Sequence, residues 1–270
     1  MKFTKMQGLG NDYIYLDCME RVPEDPSALS ILLSRSHFGV GADGLVLILP
    51  SDKADFRMRM FNADGSEGKM CGNASRCIGK YVYERGLTGK TNVTLETLSG
   101  IRTLRLAVHN GIVEQVSVGM GAAQVKETGA VLTAGGRDWR YTSVSVGNPH
   151  CVIFCQGVEE MDIAAPGRLI ENHPNFPGRT NVEFAQVLDP SHIRMRVWER
   201  GSGETLACGT GACAVAAAAE ANGLCGKEVT VLLRGGPLQI QLGEEIIMTG
   251  PAAFVFDGEF REEDLYAENQ

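Results

Sequence analysis

An internal repeat constrains the fold of this chain more than any other feature of its sequence. Residues 55–90 align without a gap with residues 192–227, at an offset of 137 positions. Ten of the 36 aligned pairs are identical, where average composition would give roughly two or three by chance. Two copies of one unit predict two domains of similar fold. The identical pairs are Arg57/Arg194, Met58/Met195, Arg59/Arg196, Glu67/Glu204, Cys71/Cys208, Gly72/Gly209, Gly86/Gly223, Leu87/Leu224, Gly89/Gly226 and Lys90/Lys227.

The same register extends beyond the aligned block, because the offset also pairs Gly10-Asn11 with Gly147-Asn148. A chain of 270 residues accommodates one large domain or two of ordinary size. We therefore predict one domain over residues 1–117 and a second over 118–254, with the C-terminal segment 255–270 joining the first. In the alternative interpretation only a strand-turn-helix unit recurs, but this leaves the shared cysteines unexplained.

Each copy of the repeat predicts the same short series of elements. RMRMF (57–61) and IRMRVW (193–198) alternate polar and apolar residues as half-buried strands do, and DGSEG and RGSGE follow them as turns. A helix follows each turn, and Gly86 and Gly223 stand where a left-handed residue would end it. TNVTLET and KEVTVLLR then indicate strands. The same series of strand, turn, helix and strand is thus predicted in both copies.

Charge and hydropathy exclude several classes of partner. The net charge is −8 and no cluster of Lys and Arg occurs, which argues against binding to nucleic acid or to an anionic membrane surface. The first residues, MKFTKMQGLG, lack the apolar run of a signal peptide, and no segment approaches the ~18 apolar residues of a membrane span. We expect a cytoplasmic protein whose partner is a small molecule.

The repeated cysteines are the candidates for chemistry. Cys71 and Cys208 each fall at a predicted helix N-terminus, where unpaired N–H groups and the positive end of the helix dipole favour anions. We expect the helix to stabilise a thiolate there and to lower the pKa of each cysteine below its ordinary value of about 8.5. Gly72 and Gly209 would let a substrate carboxylate approach the same amides closely.

Zinc binding and a structural role are the alternatives for the eight cysteines. The spacings are C-x₅-C at 71–77, C-x₃-C at 151–155 and C-x₄-C at 208–213, which fit a zinc site poorly because Cys213 falls inside the predicted helix. We therefore predict no metal. Stable disulfides are unexpected in a reducing compartment. The remaining cysteines are interpreted as small buried apolar residues, namely Cys18, Cys77, Cys151, Cys155, Cys213 and Cys225.

A cysteine hydrolase is a further alternative, with His150 as the base. That reaction needs one nucleophile and leaves the second cysteine without a role. Two equivalent thiols suit a nearly symmetric reaction instead. One thiolate removes a proton from a carbon and the other thiol returns one to the opposite face, so the product is inverted at that carbon. The pattern favours a proton-transfer pair.

Seven motifs spread over nearly the whole chain resemble the diaminopimelate epimerase family. The motifs are GLGNDY (8–13), FNADGS (61–66), CGNASRC (71–77), GNPH (147–150), RTNVEF (179–184), WERGSGET (198–205) and ACGTGA (207–212). The resemblance implies interconversion of LL- and meso-2,6-diaminopimelate without a cofactor, on the route to lysine and peptidoglycan. It also implies an α/β (α+β) class of fold with two pseudo-symmetric domains, each a mixed sheet curled around a central helix, and an active site in the cleft between them. The resemblance further implies a homodimer.

The resemblance also implies the role of individual residues. Cys71 and Cys208 are the two acid/base residues in that scheme. The helix ends that hold the α-carboxylate carry Gly72, Asn73, Gly209 and Thr210, and Glu199 contacts the reacting ammonium. Arg200 pairs with the distal carboxylate, and the other substrate-binding residues are Asn11, Asn62, Asn148 and Asn181.

Two further residues are predicted to support the site. His150 is expected beside Glu199, although a structural histidine is a comparable interpretation. Gly44 stands where some family members carry glutamine, and the offset of 137 pairs it with Asn181. From the residues alone, Asn11, Asn62 and Asn148 would serve turns. Glu199 and Arg200 would then form a solvated strand end.

Other functions are compatible with parts of this pattern. A proline racemase type of enzyme would use the same two-base chemistry on another α-substituted acid. A racemase with pyridoxal phosphate would show a visible absorbance band. A thiol-redox or zinc-binding module would show no turnover. Assays of proton exchange and of metal content separate these alternatives.

Overall fold

The computed structural model describes residues 1–261 and 263, which form two compact units. One unit contains residues 1–118 and the described residues from Gly250 onward, and the other contains residues 119–249. Residues 262 and 264–270 of the predicted C-terminal segment lie outside the described residues. Within the described part of the chain, no helix is both long and apolar enough to cross a membrane.

The elements alternate between strands and a few helices. In chain order they are β1 (Lys2–Gly8), β2 (Asn11–Asp17), α1 (Pro26–Ser34), β3 (Gly44–Leu49), β4 (Phe56–Asn62), β5 (Glu67–Gly68), α2 (Gly72–Glu84), β6 (Asn92–Thr97), β7 (Gly100–His109), β8 (Ile112–Gly119), β9 (Gln124–Ala134), β10 (Arg137–Ser145), β11 (Pro149–Phe154), α3 (Ala164–Glu171), β12 (Asn181–Asp189), β13 (His192–Glu199), β14 (Gly203–Thr205), α4 (Gly209–Ala221), β15 (Glu228–Leu233), β16 (Gly236–Gln241), β17 (Ile247–Gly250) and β18 (Ala253–Glu259).

The first unit is built on a mixed sheet. Strand β1 is antiparallel to β2, β2 is parallel to β3, and β3 is antiparallel to β4. Strand β4 is parallel to β6, which continues into the antiparallel run β6-β7-β8. The C-terminal strand β18 pairs antiparallel with β1 and so returns to the N-terminal strand.

The second unit repeats this order of pairings. Strand β10 is antiparallel to β11, β11 is parallel to β12, β12 is antiparallel to β13, and β13 is parallel to β15. Strands β15, β16 and β17 are antiparallel neighbours, and β9 pairs with β10 as β18 pairs with β1. The repeated sequence therefore gives a repeated topology, and the predicted α+β class with mixed sheets is confirmed.

The two repeated helices, α2 and α4, end in the same way. Gly86 and Gly223 adopt left-handed conformations, with φ of 74° and 69°. The amides of Leu87 and Leu224 then reach back to carbonyls in the last helical turn at 2.9 Å in both copies. These bonds satisfy carbonyl groups that the end of a helix leaves open. The predicted helix ends are confirmed, as are the predicted strands β4, β6, β13 and β15.

Helix α4 is deeply buried in the second unit. Residues 211–219 are all buried, and the helix packs against β9 to β13, β15 and β16. A helix that is apolar on all sides has no face for water, and its small alanine side chains allow strands to approach closely. A core cluster that includes Trp139, Ile170 and Phe184 lies in the same unit. These contacts fix the position of helix α4 within the second unit.

Candidate functional site

Cys71 caps helix α2 in the first unit. Its backbone is extended, with φ −132° and ψ 122°, and its Sγ accepts a hydrogen bond from the Ala74 amide at 3.5 Å. The same thiol donates to Oδ1 of Asn11, also at 3.5 Å. A residue at the N-cap lies over the unpaired N–H groups of the first helical turn. Negative charge at this sulfur is therefore favoured by the helix.

The amide of Asn11 is oriented by a carboxylate. Its Nδ2 donates to Oδ2 of Asp43 at 2.7 Å, and the Asp12 amide donates to the same oxygen at 3.1 Å. An ionised carboxylate only accepts hydrogen bonds, so the NH₂ group of Asn11 faces Asp43 and its oxygen faces Cys71. Loss of surrounding water raises the pKa of Asp43, and the hydrogen bonds from Asp12 and Asn11 oppose that rise.

Asn73 offers a second polar group next to Cys71. Its side chain is buried and its Nδ2 donates to Oδ1 of Asn11 at 3.2 Å. Its own Oδ1 is buried without a hydrogen-bond partner among the described residues. A buried acceptor without a partner is costly, so this oxygen is suited to a donor on a ligand. Asn62, by contrast, donates to Oγ of Ser66 at 2.9 Å within its own turn.

Gly44 contributes through its lack of a side chain. It begins β3 directly opposite Asn62 of β4. A Cβ at this position would lie 2.0 Å from the carbonyl oxygen of Phe61 and 2.9 Å from the ring of Tyr13. A backbone oxygen cannot move aside as a flexible side chain can. The glutamine that the family resemblance implies in some members does not fit this backbone.

Replacing Gly44 with alanine or glutamine is expected to lower the free energy of unfolding by about 3 kcal/mol, because overpacking against the backbone displaces strand β4. Urea denaturation followed by circular dichroism measures the change. Gly89→Ala is the matched control, since no atom lies within 4 Å of a Cβ added there, and its effect should stay within about 0.5 kcal/mol. An equally stable Gly44→Ala variant would contradict the close approach of β3 and β4.

Cys208 caps helix α4 in the second unit with the same geometry as Cys71. Its φ and ψ are −123° and 107°, and its Sγ accepts a hydrogen bond from the Gly211 amide at 3.4 Å. The hydroxyl of Thr210 lies 3.6 Å from the sulfur. The thiol also hydrogen-bonds to Glu199. The sulfur thus lies next to the Gly211 amide, the Thr210 hydroxyl and a carboxylate.

The pKa of Cys208 differs from the value that the sequence predicts. Burial raises it well above the ordinary value, and the charges of Glu199 and Glu183 raise it further. Hydrogen bonds from Thr210 and the Gly211 amide oppose the rise but do not reverse it. The expectation of a lowered pKa is therefore wrong for Cys208, because desolvation outweighs the helix N-terminus. Without a ligand this residue is a thiol.

A series of hydrogen bonds links Thr210 to the buried side chains of His150 and Glu183 in the same unit. Nδ2 of Asn148 donates to the Thr210 hydroxyl at 3.3 Å, and Oδ1 of Asn148 lies 3.0 Å from Nε2 of His150. Nδ1 of His150 lies 2.6 Å from Oε1 of Glu183, and both of these side chains are fully buried. A Cβ at Gly211 would come within 2.9 Å of the same oxygen. Glu183 therefore packs against the start of α4.

Glu199 ends strand β13 and faces the same thiol. The Thr205 hydroxyl donates to its Oε1 at 2.5 Å. Burial raises the pKa of Glu199, and the hydrogen bonds with Thr205 and Cys208 oppose that rise. A partly desolvated carboxylate of this kind favours contact with a cation.

Arg200 follows Glu199 in a turn that is held by hydrogen bonds to the backbone. The Arg200 amide donates to Oδ1 of Asn181 at 2.9 Å, and Nδ2 of Asn181 donates to the Pro149 carbonyl at 3.1 Å. Both ends of the Asn181 amide thus serve the backbone. Nη1 of Arg200 donates to the Gly178 carbonyl at 3.1 Å, while the side chain is exposed.

Glu171 holds the same turn from the end of α3. Its carboxylate accepts hydrogen bonds from the Gly201 amide at 2.9 Å and from the Trp198 indole at 2.8 Å, and it pairs with Arg179. The carboxylate thus ties the residues on both sides of Arg200 to one helix. This restricts where the guanidinium can reach.

The predicted residues fall into contact groups within each unit. Contacts join Asn11 and Asn73 to Cys71, whereas Gly44 and Asn62 meet across β3 and β4. In the second unit, contacts join Glu199, Thr210, Asn148 and His150 to Cys208, and a second group joins Asn181 to Arg200. The buried residues Gly72 and Gly209 are the first residues of helices α2 and α4.

Sequence reasoning missed the carboxylates that orient these groups, which are Asp43, Glu171 and Glu183. One of them left a signal. Glu183 is an acidic residue inside the apolar run of β12, between Val182 and Phe184, and such a residue is rarely buried unless it is paired. Asp43 and Glu171 act through contacts that are distant in sequence and follow no local pattern.

The other cysteines have mostly structural surroundings. All eight cysteines lie in the described part of the chain and none is in a disulfide. Burial raises the pKa of Cys18 to about 12 and that of Cys77 to about 11. Cys155 and Cys225 are only partly buried, because each follows the end of an element, and the prediction of burial is wrong for them. No group of three His, Cys, Asp or Glu side chains in the described residues could hold a metal ion.

Comparison with known proteins was made on sequence and on structure. The family model described as diaminopimelate epimerase matches residues 3–126 and 142–255. A diaminopimelate epimerase of Phocaeicola vulgatus is 53% identical over 273 residues, which cover 96% of this chain and 98% of the relative. One from Methanococcus maripaludis is 52% identical over 274 residues, with coverages of 96% and 99%.

Solved structures of low sequence identity share the fold. A hydroxyproline epimerase from Agrobacterium vitis superposes with a TM-score of 0.78 at 17% identity, covering 96% of this chain and 91% of that protein. A phenazine biosynthesis protein from Bacillus anthracis gives 0.75 at 19% identity, with coverages of 97% and 99%. At this identity the likeness bears on the fold alone.

Proposed function

Because the chain belongs to the diaminopimelate epimerase family, a family of enzymes, we propose that it interconverts LL- and meso-2,6-diaminopimelate without a cofactor. The relatives that carry this name match 96% of the chain at about half of all positions. The product would serve as a precursor of lysine and of peptidoglycan. In line with the family resemblance, the proposal includes a homodimer in the cytoplasm. Size-exclusion chromatography with light scattering measures the oligomeric state.

A cysteine at the N-cap of each repeated helix is the observation that carries this proposal. Cys71 and Cys208 have the same backbone geometry, and each sulfur accepts an amide hydrogen bond from the third residue after it. We propose that one sulfur, as thiolate, takes the α-hydrogen, and that the other, as thiol, gives its proton to the opposite face of the carbon. The two sulfurs exchange their protonation states in each turnover. Both must reach one substrate carbon.

The resting states of the sulfurs follow from their surroundings. Burial, reinforced by the charge of Glu199, holds Cys208 as a thiol, so we assign it the role of the acid when the unliganded enzyme first binds substrate. Cys71 would then be the base for that turnover, once it has lost the hydrogen that it donates to Oδ1 of Asn11 in the unliganded protein. The substrate ammonium, once bound by Glu199, would offset the negative charge that penalises a thiolate at Cys208.

The remaining groups fit the ends of the substrate. The amides that begin α2 and α4 would hold the α-carboxylate, where negative charge grows as the α-hydrogen leaves. The open acceptor of Asn73 and the carboxylate of Glu199 would bind the ammonium. The guanidinium of Arg200 would pair with the distal carboxylate in a planar, bidentate contact.

Proton exchange in deuterated water tests the proposed function. The enzyme is incubated with LL-diaminopimelate, proline and glutamate side by side, and deuterium at the α-carbon is followed by NMR. Exchange with inversion of diaminopimelate alone is the expected result. Exchange of proline alone would replace the proposal with a proline racemase type of activity, and no exchange of any of the three would overturn it.

Mild oxidation is expected to inactivate the enzyme reversibly, because two thiols that flank one carbon can form a disulfide when the substrate is absent. Treatment with diamide should remove activity, and dithiothreitol should restore it. Mass spectrometry should identify a peptide that links Cys71 to Cys208. Cys225→Ala serves as the control and should behave as the wild type. Reversible loss without the cross-link would show that the two sulfurs are not neighbours, whereas irreversible loss would show that a thiol has been overoxidised.

A further inference from the structure

Glu183 is a buried carboxylate that the proposed reaction does not use directly. It lies in the middle of β12 and its side chain is fully buried. One oxygen meets Nδ1 of His150 at 2.6 Å, while Oε2 is buried without a hydrogen-bond partner among the described residues. A buried carboxylate is costly unless a cation neutralises it. The protonated imidazole of His150 is the group placed to do so.

The hydrogen bonds of His150 support the protonated form of its ring. Nδ1 faces a carboxylate, which only accepts, so Nδ1 carries a hydrogen. Nε2 faces Oδ1 of Asn148 at 3.0 Å, and a carbonyl oxygen also only accepts. An imidazole that donates at both nitrogens is an imidazolium. As an imidazolium, His150 would form a buried ion pair with the carboxylate of Glu183.

This ion pair sets the direction of the hydrogen bonds that follow. With its oxygen turned to His150, Asn148 directs its NH₂ group to the Thr210 hydroxyl oxygen at 3.3 Å. Once that oxygen accepts from Asn148, the Thr210 hydrogen is directed to its other neighbour, Sγ of Cys208, at 3.6 Å. A neutral ring with Nε2 as acceptor would turn the amide over. Thr210 would then donate to Asn148 instead of the sulfur.

We propose that Glu183 is a positioning residue, which holds His150 in its doubly protonated form and so makes Thr210 donate its hydroxyl hydrogen to the sulfur of Cys208. The step it assists is the one in which the Cys208 S–H bond breaks. The proton goes to the substrate carbon and the electron pair stays on sulfur as a thiolate. Two donors, the Thr210 hydroxyl and the Gly211 amide, then stabilise that thiolate.

The charged and titratable groups around the pair of His150 and Glu183 come from three elements. Glu199 on β13 and Cys208 at the start of α4 face the pair, and Cys151 on β11 adjoins Glu183. Unpaired, the charge of Glu183 would oppose a thiolate at Cys208. The imidazolium offsets that charge, so the pair removes a penalty at the same time as it directs a donor.

The protonation state of His150 can be read without any assay of activity. The full chain is labelled with ¹⁵N in its histidine rings, and the ring signals are recorded at pH 7. His150→Gln identifies the signals by their loss. We expect two protonated ring nitrogens for His150 in the wild type and only one in Glu183→Gln. A wild-type His150 with a single protonated nitrogen would overturn the proposal, whatever the enzyme's activity.

Steady-state kinetics with diaminopimelate test whether Glu183 assists the breaking of the Cys208 S–H bond. This test rests on the proposed function. Glu183→Gln should lower kcat roughly a hundredfold, as the loss of a directed donor does at other sites of developing negative charge. KM should change little. Glu183→Asp restores the carboxylate and should recover at least a tenth of the wild-type kcat. Glu228→Gln, an exposed change on β15, is the matched control and should match the wild type.

The outcomes separate the positioning role from a structural one. A defect of folding alone would not be rescued by aspartate and would leave the ring signals of the folded fraction unchanged. Wild-type kcat in a Glu183→Gln variant whose His150 has lost one ring hydrogen would overturn the proposed role of this series of hydrogen bonds. If the wild type itself shows no exchange of diaminopimelate, the proposed function fails while the ring signals still decide the state of His150.

Discussion

Replacing either Cys71 or Cys208 with alanine is expected to abolish epimerisation of diaminopimelate, with kcat falling by at least about 10⁴-fold, because each sulfur carries the proton at one face of the carbon. Neither thiol is needed to hold the substrate. The affinity for a substrate analogue should therefore stay within about tenfold, or roughly 1.4 kcal/mol. Turnover followed by chiral chromatography and binding followed by calorimetry measure the two effects.

Controls are needed because each cysteine also caps a helix. Loss of an N-cap costs about 1 kcal/mol of stability, so the free energy of unfolding is measured for both variants. Cys225→Ala, at a half-buried position after helix α4, should retain full activity. A single variant, Cys71→Ala or Cys208→Ala, that epimerises diaminopimelate at the wild-type rate would rule out the two-base assignment.

The internal repeat allows much of the fold to be predicted from sequence, because both copies contain the same local signals. Gly86 and Gly223 end their helices with the predicted left-handed geometry, and Cys71 and Cys208 begin them. The alternating strands before each helix are likewise formed where predicted. These features depend on neighbours within a few residues, which a single sequence displays. Short strands at Glu67–Gly68 and Gly203–Thr205 replaced part of each predicted turn.

The electrostatics of the second thiol could not be predicted in the same way. A helix N-terminus is visible in the sequence, and it favours a thiolate. Burial of the sulfur reverses that effect on Cys208, and two carboxylates from other strands, Glu199 of β13 and Glu183 of β12, add to the rise in its pKa. Their distance from the sulfur depends on the sheet and on the burial of α4. Long-range packing, not local sequence, therefore decides the sign of the pKa shift.

Equivalent positions of the repeat also carry different hydrogen bonds. Asn11 turns its oxygen to Cys71 because its NH₂ group is bound by Asp43. Asn148, at the corresponding position, turns its oxygen to His150 and its NH₂ group to a threonine hydroxyl. The two asparagines are identical in sequence, and only their partners distinguish them. The sequence repeat thus does not extend to the direction of the hydrogen bonds around Cys71 and Cys208.

Arg200→Met is expected to lower kcat/KM for diaminopimelate by about a thousandfold, because the bound substrate would remove the guanidinium from water, and losing one partner of a desolvated charge pair costs roughly 4 kcal/mol. The guanidinium is exposed, and the turn that carries it is fixed by Asn181 and Glu171 rather than by its own side chain. The substitution should therefore leave the turn in place and remove only the contact with the distal carboxylate.

L-Lysine separates recognition of the distal carboxylate from chemistry at the reacting carbon, because it is diaminopimelate without that carboxylate. Slow α-proton exchange of lysine in deuterated water should change less than threefold in Arg200→Met, an effect of under about 1 kcal/mol. Arg194→Met, which removes a surface pair between β13 and Glu159, is the matched control and should leave both substrates unaffected, since such pairs contribute at most about 1 kcal/mol. An equal loss with lysine and diaminopimelate in Arg200→Met would place the guanidinium at the reacting centre or assign it to the fold, because only a distal contact discriminates between the two substrates.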